Sequence, residues 1–95
     1  SYAETILGQT FVGLISGVVE RGVFVELPNT VEGFVSAEKL GAGFVFDKER
    51  FCLYNDAVKF GLGDKLGVTV ASVNKQACKI DFDLARLPSE QQSID

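Results

Sequence analysis

The sequence predicts an all-β domain, a five-stranded Greek-key barrel with a long connection between its third and fourth strands. Runs rich in Val, Ile and Phe alternate inward and outward along it, turn residues separate them, and the one helical stretch is at most a single turn. Ninety-five residues, 46% hydrophobic and 23% charged, suit one globular core and leave no room for a second domain. Strands this few and short must close on themselves to hide their edges.

Thr10 to Glu26, TFVGLISGVVERGVFVE, reads as a hairpin with its turn at Glu20-Arg21-Gly22. The second strand sends Val23, Val25 and Leu27 to one face and Phe24 and Glu26 to the other, which leaves an aromatic ring on the polar face. Pro28, Asn29 and Thr30 supply turn chemistry, and Val31 to Ser36 forms the third strand before the short AEKL turn. Gly41 to Gly63 is irregular, a long connection carrying Phe44, Phe46, Phe51, Tyr54 and Phe60, with one short strand around Arg50 to Leu53.

After the Gly63-Asp64 turn, Lys65 to Asn74 points Leu66, Val68 and Val70 inward, and Lys79 to Leu84 points Ile80, Phe82 and Leu84 inward. Phe51, Phe60 and Phe82 are assigned to the core, and Cys78, alternating with Ile80, is expected to be buried. Residues 87–95 are polar and expected to fray, so the single domain has its core at about 6–86. A three-strand meander, a long connection and a closing hairpin make the element list of the OB fold, with an SH3-like barrel as the other arrangement.

Composition narrows the function. Without His the commonest general base and metal ligand is missing, and Cys52 and Cys78 are too far apart for a CxxC motif. No catalytic or metal-binding residues are therefore assigned. The GLGD turn at Gly61 to Asp64 lacks phosphate-loop spacing, and Asp81 and Asp83 straddle an inward Phe82 with no third ligand, so both read as structural. The sequence has no Met and no signal or membrane-spanning segment, which fits a cytoplasmic, monomeric domain excised from a longer protein.

Nine Lys and Arg against 13 Asp and Glu give a net charge of −4, so any affinity for nucleic acid must come from a local patch. Single strands are held by aromatic faces that stack on bases and cations that track phosphates. Phe24, outward on its strand, is the leading platform, Arg21 can stack through its guanidinium plane, and Phe34 shares a face with Ser36. Phe44 offers a further ring, and Lys39, Lys48, Arg50 and Lys79 are candidate phosphate contacts.

The ordered set GLISGVVERGVFVELPNTVEGFVS, GLGD, VTVASVN and KIDFDL resembles the S1 RNA-binding domain family over roughly Ile6 to Leu84. ELPNTVEGFV, FDKERF and KIDFDL are similar to the version at the C-terminal end of ribonuclease R, a 3′-to-5′ exoribonuclease of the ribonuclease II family. The resemblance implies a barrel that binds single-stranded RNA and guides it to the catalytic domain of its parent. Mg²⁺ would serve that separate domain, with no cofactor in this chain. It also implies a contact set of two aromatics, a His, an acidic residue and a basic residue. The second aromatic matches Phe24 and the basic residue matches Lys79, whereas Arg21, Ser36 and Asn74 stand where the family has an aromatic, a His and an acid. Those departures, with the acidic net charge, keep open a second class of function, an OB-type domain that docks protein.

Overall fold

A computed structural model describes residues 5–85. Along them run β1 (Thr10–Val19), β2 (Gly22–Glu26), β3 (Glu32–Ser36), a helical turn α1 (Ala37–Leu40), β4 (Val45–Asp47), β5 (Cys52–Tyr54), β6 (Lys59–Gly61), β7 (Lys65–Asn74) and β8 (Lys79–Leu84). The order β1-β2-β3-β8-β7 closes into a barrel, antiparallel throughout except where β3 meets β8 in parallel at Phe34 and Asp81. β7 returns to β1 from Thr69 opposite Thr10 to Lys65 opposite Leu14, which leaves none of the five with an open edge.

The alternating residues fill the barrel. Val23, Val25, Val35, Val68 and Phe82 are wholly inaccessible, and Ile15 and Val70 nearly so. β-Branched side chains suit a pleated surface packed on one face, and so small a core depends on one large ring. Phe82 occupies the space that Gly33 leaves: a Cβ there would lie 2.5 Å from the Phe82 ring. Bulges at Ser16 in β1 and Ala71 in β7 bend the long strands around this core.

The connection between β3 and β7 is more ordered than the sequence predicts. It forms a second antiparallel sheet, β4-β5-β6, in which Phe46 and Phe60 flank Leu53 in register, and Leu53 joins the barrel core. Two backbone hydrogen bonds fasten its end to β1, Gly63 N–H to Ile15 C=O and Ile15 N–H to Asp64 C=O, both 2.8 Å. Of its three strands the sequence indicates one, around Arg50 to Leu53, which the structure places at Cys52–Tyr54; the other two, three residues each, carry too little alternation to stand out.

Three core assignments are corrected. Phe51 is 51% exposed and Cys78 is exposed, and each has a positive φ, 53° and 55° respectively, in the turn leading into its strand. A left-handed residue breaks the two-residue count, so alternation read back from Leu53 or Ile80 through these positions fails. Leu84, the last residue of β8, is 37% exposed. Cys52, Phe60 and Phe82 lie in or against the core. The tail assigned to fraying lies outside the described residues. Among the described residues no helix is long and apolar enough to cross a membrane.

Candidate nucleic-acid interface

The outward face of β2, β3 and β8 carries an open cleft of about 470 Å³, within the range of about 300–1,000 Å³ usual for ligand sites. Its lining comprises Arg21, Phe24, Glu32, Phe34, Ser36 and Lys79, together with Cys78, Ile80 and Asp81. Register explains the grouping. Phe24 stands directly opposite Phe34, and Phe34 directly opposite Asp81, so three adjacent strands present ring, ring and carboxylate in one row. Two residues along, Gly22 faces Ser36 at one end, and at the other Glu32 lies beside the start of β8 at Lys79.

Glycines on the neighbouring strands let both rings lie down on the sheet. Phe24 packs over Gly17, where a Cβ would come within 3.2 Å of the ring, and Phe34 packs over Gly22, where one would come within 2.7 Å. The rings meet at a centroid distance of 5.0 Å and an interplanar angle of 60°, inside the favourable range for tilted aromatic pairs. Both stay half-buried, anchored beneath and open above. The guanidinium of Arg21 stands 5.8 Å over Phe34, and its backbone C=O accepts from Ala37 N–H at 2.7 Å, which ties the β1–β2 turn to α1.

Cations stand at both ends of this row, Arg21 beside Gly22 and Lys79 at the entry to β8. Two carboxylates share the cleft, each held by a hydroxyl from a bulged strand. Ser16 Oγ donates to Glu32 Oε2 at 2.6 Å, and Ser72 Oγ donates to Asp81 Oδ2 at 3.1 Å. The site balances two positive against two negative side chains, so its electrostatic pull on a polyanion is weak and its grip depends on stacking.

Of the residues singled out from the sequence, the structure brings together Arg21, Phe24, Phe34, Ser36 and Lys79. Phe44 lies elsewhere. It packs against Phe60 at 5.7 Å and borders a different depression with Glu20 and Glu38, whose carboxylates would repel phosphate. Lys48 and Arg50 sit in the β4–β5 turn, where Arg50 is 3.7 Å from Asp47. Lys39 is bound to β8, 2.6 Å from Asp83 and within 3.3 Å of the Phe82 carbonyl. Asn74 shapes the β7–β8 turn by accepting from Ala77 N–H at 3.0 Å. Glu32 and Asp81 were missed as cleft residues. The pairing of β3 with β8, distant in sequence, puts Asp81 there, and no short-range pattern reports it.

A closed five-stranded barrel with rings and cations on one outer face is the OB class of nucleic-acid-binding domain. The chain belongs to the S1 RNA binding domain family, whose profile matches residues 4–84. It is similar to ribonuclease R of Ureaplasma parvum serovar 3, 37% identical over 86 residues, 87% of this chain and 12% of that protein. Ribonuclease R of Aquifex aeolicus is 36% identical over 97 aligned residues, 98% of this chain and 14% of that one. The chain thus spans about an eighth of the length of these relatives. Among solved structures, Mycoplasma genitalium RNase R matches in its apo form with a TM-score of 0.80, and in complex with ribose-methylated single-stranded RNA with 0.79. Each shares 22% identity and covers 88% of this chain and 14% of the other.

Proposed function

We propose that this domain binds single-stranded RNA across β2, β3 and β8 and does no chemistry itself, holding RNA for the catalytic domain of a ribonuclease R-like 3′-to-5′ exoribonuclease. The observation that carries this reading is the Phe24–Phe34 pair, two half-open rings laid side by side between Arg21 and Lys79. Bases stack on the rings, each worth about 1–3 kcal/mol, while the two cations meet backbone phosphates on either side. Likeness to a ribonuclease R structure solved with single-stranded RNA supports the same ligand here. A weak binder suffices in such a protein, because tethering it to the nuclease raises the effective RNA concentration to the millimolar range.

Titration of the isotopically labelled domain with a short unstructured RNA at low salt tests the reading. Amide shifts should cluster at Arg21, Phe24, Phe34 and Lys79 and disappear in a folded Phe24→Ala variant. An unmoved spectrum at millimolar RNA would overturn RNA binding and leave protein docking as the alternative.

A further inference from the structure

Carboxylates inside a cleft for a polyanion need an explanation. Asp81 and Glu32 repel phosphate, so neither serves the backbone, yet each, though solvent-exposed, is held at the cleft by a hydrogen bond from a serine hydroxyl. Asp81 is the more telling, because it stands directly across the parallel pair from Phe34. A base stacked on that ring turns an edge toward the next strand, and the side chain it meets is Asp81. The Ser72 hydroxyl occupies Oδ2, which leaves Oδ1 and a second lone pair of Oδ2 able to accept.

An ionised carboxylate only accepts hydrogen bonds, so it selects bases by the donors on their edges. Guanine offers two adjacent donors, N1–H and the N2 amine, which match the two oxygens and form a charge-assisted bidentate pair. Cytosine and adenine offer one amine each. Uracil offers N3–H between two carbonyl oxygens, and both oxygens face the carboxylate with like charge. Resting on the RNA-binding reading above, we infer that Asp81 makes this cleft selective for guanine in single-stranded RNA and against uracil, with the guanine stacked on Phe34.

Hexauridylate and hexamers with one central guanosine, inosine or cytidine, measured by fluorescence anisotropy on the wild-type domain, Asp81→Asn and Asp83→Asn, test this. One guanosine should tighten binding about 5- to 150-fold over hexauridylate, the range of a good bidentate base contact, and inosine, which lacks the N2 amine, should lose most of that gain. Asp81→Asn should move the two ligands in opposite directions, weakening the guanosine hexamer while leaving hexauridylate equal or tighter, since a repulsive charge has gone. Asp83→Asn removes the same charge outside the cleft lining and should keep the guanosine preference. Equal affinity for all hexamers, or a preference that survives in Asp81→Asn, would overturn the guanine inference and leave the RNA-binding face standing. Failure of every hexamer to bind would instead overturn the RNA-binding reading, and the inference with it.

Discussion

The Arg21 guanidinium lies 5.8 Å from the centroid of the Phe34 ring. A cation over an exposed ring contributes only about 0.5–1 kcal/mol, so this contact leaves Arg21 free to exchange the ring for a base or a phosphate. Its planar fork can do both, and an ammonium can do only the second. Arg21→Lys should therefore weaken RNA binding several-fold yet keep the salt dependence, whereas Arg21→Ala should also lower the log–log salt slope by about 0.7. Wild-type affinity in Arg21→Lys would refute a stacking role for Arg21, and an unchanged salt slope in Arg21→Ala would remove it from the phosphate path.

Gly22 is where the binding face and the core meet. A side chain there would collide with the Val35 carbonyl and come within 2.9 Å of Ser36 Cα and 2.7 Å of the Phe34 ring. Two of these neighbours are backbone and cannot turn aside. Overpacking of this kind costs about 1–3 kcal/mol, so Gly22→Ala should lower the melting temperature by several degrees and lift Phe34 from the sheet. Thermal denaturation gives the first effect and the Phe34 side-chain NMR signals give the second. A melting curve matching the wild type would contradict the packing.

How much of this was legible in the sequence depends on range. Val23, Val25, Val68, Val70 and Phe82 announce their inward face by alternation alone, and the outward Phe24 stands out by the same rule. Cys78 and Phe51 escape it because each adopts a left-handed turn conformation that shifts the count by one. The site is harder. Phe34 and Asp81 are 47 positions apart in sequence, and their adjacency exists only once the barrel closes. For the same reason the residue pattern alone does not separate Lys39, drawn onto Asp83, from Lys79, which faces the cleft; the family resemblance is what favours Lys79 in the sequence.

These two lysines provide a matched pair. Lys39 and Asp83 are 2.6 Å apart with 40% and 54% of their side chains exposed, and pairs so accessible contribute under about 1 kcal/mol. Lys39→Ala should lower stability slightly, less so at high salt, and leave RNA affinity unchanged. Lys79→Ala should do the reverse, keeping the melting temperature while weakening RNA binding at low salt. With Arg21 and Lys79 as the cleft's cations, the wild-type slope should lie near −1.4, falling to about −0.7 without Lys79. An unchanged slope in Lys79→Ala would remove that residue from the phosphate path.

Phe34 and Phe82 occupy neighbouring strands with their rings on opposite sides of the same sheet, which allows binding and stability to be separated by two truncations. Phe82 is wholly inaccessible and fills the gap over Gly33, so Phe82→Ala leaves a cavity that no neighbour can fill and should cost about 3–5 kcal/mol. Phe34 is open on one side, and its loss exposes Gly22 to water without emptying the core. Phe34→Ala should therefore cost far less stability, while RNA affinity falls about 5- to 150-fold through the lost stack. Chemical denaturation beside anisotropy titration of the same samples decides it. If Phe34→Ala unfolded as readily as Phe82→Ala, the outer ring would be structural and the case for stacking on β3 would fail.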